Sequence, residues 1–481
     1  MSDLTFLPAT EMAARIREKK LSPVELAEAH LAKIARLNPQ LSAFVQVDPE
    51  RVRREARDAE SAITKPGVLG LLHGVPISIK SSIDVAGMRI ESGTRLRAGA
   101  VAANDAPLVQ RLRRAGAIIL GVTNTPELLM AWETDNLLYG RTNSSWDLER
   151  TPGGSSGGEA AAIASGMSAA GVGSDGGGSI RVPAHFSGIC GLKPTPGRLP
   201  STGHFPASGG PFAFLGVVGP MARTVGDLKV LFEVMQGPDD GDTCAAPVPV
   251  TWPADHEVTQ RKIGYFEDDG RTPVAPEIRR AVRMAADALA HAGFQVEPFR
   301  PEGLEEARVL WKRFFVKVGG MVIEPMFRDR QQDCSPMLHQ FLQWSAAEPE
   351  LSGDLLLESW FRRDSLRAEV LAQMREYPIL LCPPAAVTAF RHGERSWTIE
   401  GHSVHYLDAW SYAEWFNLLG NPAAVLPVSH SDEGLPVGVQ IVGRPWEEEF
   451  VLAVAAEVEK GCAGWRIPPL AQHAANPADF W

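Results

Sequence analysis

Cysteine is scarce in this chain, and the little there is lies scattered. The five residues, Cys190, Cys244, Cys334, Cys382 and Cys462, include no CxxC pair. That spacing argues against a disulfide framework or a zinc site, and it leaves small buried apolar side chains as their ordinary role. Runs of Lys and Arg are missing too. The 47 basic side chains are outnumbered by 58 acidic ones, for a net charge of −11. Phosphate binding needs a basic face, so nucleic acid is not an expected partner. Long apolar runs are also absent. The most apolar stretch, 160–172, is cut by Gly, Ser and Met-Ser and falls short of the ~18 residues that a membrane span needs. The opening MSDLTFLPATEMAARIREKK has none of the segments of a signal peptide. These absences predict a cytoplasmic protein with no membrane span.

What is present is ordinary globular material: 481 residues, 44% hydrophobic and 22% charged, enough for a large core. Two helices are expected first. The second opens on Ser22-Pro23-Val24-Glu25, a capping box with proline at the first helical position, and Asn38-Pro39 is expected to stop it. A charged helix is expected over 51–62. Alternation in Gly74-Val75-Pro76-Ile77-Ser78-Ile79-Lys80 predicts a strand with Ser78 and Lys80 on one face and Ile77 and Ile79 on the other. A helix over 106–115 followed by a strand over 118–122 gives the order of an α/β sheet protein. Beyond a connector at 237–253, a strand (262–266), a helix (276–294), a helical aromatic region (~300–376), a buried strand (378–383), a closing hairpin (425–428 with 437–442) and a last helix (447–460) are expected. The connector could divide two domains, or the strands on both sides could complete one sheet.

Three glycine-serine segments compete for a chemical reading. The first, Gly153-Gly154-Ser155-Ser156-Gly157-Gly158, has the composition of a linker, yet it runs straight into a helix-forming AAAIA stretch. It satisfies G-x-S-x-G in two registers, but no strand precedes it, so it makes a poor nucleophile elbow. The second, Gly171-Val172-Gly173-Ser174-Asp175-Gly176, matches G-x-G-x-x-G. It is expected to follow a helix rather than a strand, which makes a dinucleotide fingerprint accidental. The third, Gly176-Gly177-Gly178-Ser179, sets a serine directly after three residues without Cβ. Such residues can turn their N–H groups to one side and cradle an oxyanion, although a tight glycine turn with an incidental serine reads the same. None of the 12 histidines stands in a motif tied to Ser179. Lys80 is the better base if burial and hydroxyl partners lower its pKa; the commoner state of a lysine is a solvated surface group.

The runs TPGGSSGGEA (151–160), GSDGGGSIRVPA (173–184) and GICGLKPT (188–195) closely resemble the amidase signature family. Further likeness lies at 74–80, 124–127, 132–136, 219–223 and 434–443, and it is weakest over 240–410, where the family varies. The resemblance implies an α/β fold in one domain over 1–481, with a large mixed twisted β-sheet covered by helices on both faces. Its parts would be an N-terminal helical region (1–65), a signature core (66–235), the connector (236–260) and a variable helical region with the rest of the sheet (261–481). It implies a Lys80–Ser155–Ser179 triad with a cis Gly154–Ser155 peptide. Ser179 would attack, Ser155 would relay its proton to Lys80, and the amides of Gly176, Gly177, Gly178 and Ser179 would hold the oxyanion. Ser156, Asp175 and Arg181 match supporting positions, with a capping hydroxyl and a structural ion pair as alternatives. Gly176 stands where the family commonly has Thr or Ile, which could loosen the oxyanion loop.

The activity so implied is hydrolysis of an amide C–N bond, with neither cofactor nor metal. In the family the variable region covers the entrance to the acyl pocket. Here it is crowded with aromatic residues that as readily serve the core. With no carboxylate-binding cluster evident, a neutral hydrophobic or aryl amide is expected, or a carbamate or ester of similar shape, as in a urethanase. Met130 and Trp132 are candidate pocket residues. The alternatives are a glutaminase subunit of the glutamyl-tRNA amidotransferase type, acting with partners, and a non-catalytic nucleotide-binding protein. The two N-terminal helices could pack across a homodimer or on their own sheet.

Overall fold

The computed structural model describes residues 3–207, 209–462 and 464–472. Thirteen strands are present among them: β1 Phe44–Val47, β2 Pro76–Lys80, β3 Ile118–Thr123, β4 Ala170–Asp175, β5 Cys190–Lys193, β6 Val217–Ala222, β7 Ile263–Tyr265, β8 Val296–Pro298, β9 Ile379–Cys382, β10 Ser396–Ile399, β11 His402–His405, β12 Ala423–His430 and β13 Pro436–Val442. Eleven of them form one sheet in the order β1-β3-β2-β4-β6-β5-β12-β13-β9-β7-β8, and β10 and β11 make a separate hairpin. The sheet is mixed: β2 runs parallel to β3 and β4, whereas β4–β6, β5–β6 and β5–β12 are antiparallel pairs. Strands from both sides of the 237–253 segment meet at the β5–β12 pairing, Val425 facing Gly191.

The two-residue period of the strands assigns each face its own helices. Met221 of β6 and Val425 of β12 pack with Ala160, Ile163 and Ala184, from the helices Gly157–Ala164 and Arg181–Ser187. Their neighbours Ala222, Ala424 and Leu426 belong to the larger core with Leu228, Val282 and Leu452, from the helices Val225–Met235, Pro276–His291 and Glu448–Gly461. Helices therefore cover both faces, as the resemblance implied.

Two local expectations are corrected. The helix Pro23–Leu41 runs through Pro39, and Ser42, in the left-handed conformation, ends it. The G-x-G-x-x-G segment does come after a helix, Gly157–Ala164, but is largely β4 itself, in the middle of the sheet. Its glycines make room for neighbours: a Cβ on Gly171 would lie 1.8 Å from Glu159 Oε1, and one on Gly173 2.8 Å from Met221 Sδ. A pyrophosphate-binding turn is thereby ruled out at this copy.

Candidate active site

Lys80 ends β2 and is fully buried. Burial disfavours its ammonium form and lowers its pKa to about 7, against the fields of Asp175 and Glu159, which raise it. Its Nζ lies 2.6 Å from Ser155 Oγ, 3.0 Å from Ser156 Oγ and 3.0 Å from Ser174 Oγ. Ser78, two residues earlier on the same strand, donates its hydroxyl to the Glu159 carboxylate, which also accepts from Thr123 Oγ1 at 2.7 Å. Burial pushes the Glu159 carboxyl up to about 7.

Ser155 follows a cis Gly154–Ser155 peptide. Only glycine fits at 154, because a Cβ there would lie 2.6 Å from the Glu133 backbone nitrogen. The Ser156 N–H donates to the Ser179 carbonyl at 3.1 Å, tying the two serine segments together. Ser155 and Ser179 open onto one cavity of about 120 Å³, walled by Leu128, Met130, Phe212, Phe315, Val322 and Ile323 among others. Among the described residues the titratable side chain on that wall is His204, whose pKa burial lowers to about 4, so it is neutral near pH 7. No acidic, lysine or arginine side chain lines the cavity among the described residues.

The loop after β4 is fixed by an ion pair. Arg181 and Asp175 are both buried and 2.9 Å apart. Burial alone would raise the Asp175 carboxyl, but the Arg181 guanidinium overrides it and holds it well below the usual range. Asp175 Oδ1 accepts the Gly178 N–H at 2.7 Å, and Oδ2 accepts the Ile180 N–H at 3.0 Å. Gly178, placed among the oxyanion donors on sequence grounds, thus has its N–H committed elsewhere. The N–H groups of Gly176, Gly177 and Ser179 have no acceptor among the described residues.

Trp132 is also placed differently from expectation. It does not line the cavity; it is buried behind the loop, where its Nε1 donates to the Gly177 carbonyl at 2.7 Å. At position 176, where the family commonly has Thr or Ile, Phe315 packs so closely that a Cβ would lie 2.9 Å from its Cε2. Sequence reasoning missed Ser174, Glu159, Asn417 and Trp311. Ser174 and Glu159 stand inside the glycine-serine runs, where their spacing was the available signal. Asn417, which donates to Asp175 Oδ1 at 3.0 Å, carried no such signal. Among the described residues, no group of three or more His, Cys, Asp or Glu side chains could hold a metal.

Residues 25–452 match the amidase family model. The chain belongs to the amidase signature family. It is 33% identical to an acylamidase of Rhodococcus erythropolis over 95% of this chain and 96% of that one. It is likewise 33% identical to an indoleacetamide hydrolase of Bradyrhizobium diazoefficiens, over 94% of this chain and 86% of the relative. Among solved structures, a bacterial aryl acylamidase of the amidase signature family superposes with a TM-score of 0.85 at 26% identity, covering 96% of this chain and 97% of its own. This amidase therefore hydrolyses amide C–N bonds. No helix among the described residues is long and apolar enough to cross a membrane.

Proposed function

We propose that this amidase cleaves neutral amides with a hydrophobic or aryl acyl group through an acyl-enzyme on Ser179. The observation that carries this reading is a fully buried lysine 2.6 Å from Ser155 Oγ, beside a cavity that Ser155 shares with Ser179. Ser179 Oγ attacks the carbonyl carbon; its proton passes to Ser155 as the Ser155 proton passes to the neutral Lys80 amine. The C–N bond then breaks, and Lys80 returns the proton through Ser155 to the leaving nitrogen. Water, deprotonated by the same relay, attacks the acyl carbonyl and releases the carboxylic acid and Ser179. The oxyanion lies against the free N–H groups of Gly176, Gly177 and Ser179, each donor of this kind contributing about 3 kcal/mol.

The wall around these serines is apolar, which favours an uncharged acyl group. A carbamate or ester of the same shape meets the same attack. For a glutaminase the wall supplies no charged partner, among the described residues, for the ammonium and carboxylate of glutamine. The test is direct. Ser179→Ala should lose anilide turnover by at least a thousandfold with an unchanged melting temperature, and it should lose labelling by a fluorophosphonate probe. Retained turnover, or glutamine as the preferred substrate of the wild type, would reject the proposal.

A further inference from the structure

Free N–H groups on a glycine loop bind an oxyanion only if something holds their direction, since glycine itself does not. In a trans peptide the carbonyl and the N–H that follows it point opposite ways, so pinning one aims the other. Every carbonyl from Asp175 to Gly178 is pinned. The Asp175 carbonyl accepts from Asn417 Nδ2 at 3.2 Å, and that of Gly178 from the Val182 N–H at 2.7 Å. The two between them are held by indoles: Gly176 by Trp311 Nε1 at 2.9 Å and Gly177 by Trp132 Nε1 at 2.7 Å. The Gly177–Gly178 peptide is clamped at both ends, since Asp175 takes its N–H. The Gly176–Gly177 peptide is held at its carbonyl alone, so the free Gly177 N–H depends on Trp311.

Resting on the Ser179 reading above, we propose that Trp311 is a positioning residue for the oxyanion hole. Its indole N–H holds the Gly176 carbonyl back so that the Gly177 N–H faces the developing oxyanion, while Trp132 locks the adjoining peptide. The fit is close enough to make this specific. Trp311 is fully buried, its ring stacks on Phe315 with centroids 4.7 Å apart, and a Cβ on Gly177 would lie 2.5 Å from its Cζ2. Trp311 touches the loop from behind and is not in the cavity wall, so it acts through the peptide rather than on substrate.

The test exchanges the N–H and keeps the ring. Replacing Trp311 with β-(3-benzothienyl)alanine puts sulfur where the N–H stood at nearly constant shape, and Trp311→Phe removes the N–H with a smaller ring. Anilide kcat should fall roughly ten- to a hundredfold, somewhat less than for deleting a donor outright, with KM within about threefold. Affinity for phenylboronic acid, which binds a nucleophilic serine as a tetrahedral anion, should fall in step with kcat, and affinity for neutral benzyl alcohol should hold. Unchanged kcat and boronate affinity in either variant, or equal losses for boronate and alcohol, would overturn the proposal. Ser179→Ala assayed alongside separates the two levels. Turnover persisting there ends the Ser179 reading itself; a dead Ser179→Ala beside an unimpaired Trp311 variant ends only this inference.

Discussion

Lys80 loses bulk water on every side, and the hydroxyls of Ser155, Ser156 and Ser174 replace only part of that hydration. Lowering its pKa from 10.5 to about 7 corresponds to roughly 5 kcal/mol. The acidic limb of the kcat/KM profile is accordingly expected near pH 7, where the amine takes up its proton. An ionised Glu159 nearby favours the ammonium form, so Glu159→Gln should move that limb to lower pH. A limb that stays put or rises would show that Glu159 does not tune the base. Stability gives an independent check. Between about pH 7 and 10.5 the unfolded chain holds the Lys80 proton and the folded chain does not, so this residue makes stability rise with pH in that window. Urea melts should show the wild type gaining on Lys80→Met from pH 7 to 9. At this scale the sequence was informative wherever a residue stood in a patterned run. Lys80 was readable from strand alternation, and Ser155 and Ser179 from their glycine frames. Trp311 was readable only as one more aromatic residue, because its partner is a carbonyl 135 positions away.

The loop 176–179 is closely packed and hydrogen-bonded, even though its composition suggests freedom. Gly177→Ala would press a methyl group against Trp311 and shift the donor it carries. We expect kcat to fall by about two orders of magnitude, while Gly353→Ala, whose Cβ meets nothing within 4 Å, leaves it unchanged. A Gly177→Ala enzyme with near-normal kcat would contradict the packing argument. The same closeness hid β4 from sequence reasoning. Gly171 and Gly173 carry no β-branched signal, because the Glu159 carboxylate and Met221 fill the space that larger side chains would occupy. The hairpin of β12 and β13 was legible because its strands are rich in valine and isoleucine. Pro39 misled because its ring gives up only the one hydrogen bond to the Ala35 carbonyl and the helix continues past it to Leu41, where the left-handed Ser42 turns the chain.

Over the whole molecule, the site draws on both sides of the connector. Arg181 reaches Asp175 from its own segment and Ala413 O, Asn417 and Gln440 from far along the chain, at 2.9, 2.5 and 2.7 Å respectively. Arg198 likewise pairs with Glu449. A chain cut within 237–253 should therefore give two pieces that do not melt cooperatively alone but do so when refolded together, as followed by circular dichroism. Cooperative melting of the N-terminal piece by itself would show that the β5–β12 seam is dispensable. This organisation was only half visible in the sequence, since the connector looked equally like a domain boundary. The pairing of β5 with β12 depends on residues more than 200 positions apart, which no local pattern encodes.

One helical segment carries both the ceiling of the cavity, at Phe315, Val322 and Ile323, and the tether at Trp311. Grafting that whole segment from another enzyme to change what is accepted would swap the tether along with the ceiling. A directed-evolution library that randomises the three ceiling positions and keeps the indole at 311 would instead let substrate appetite drift while the chemistry stays constant.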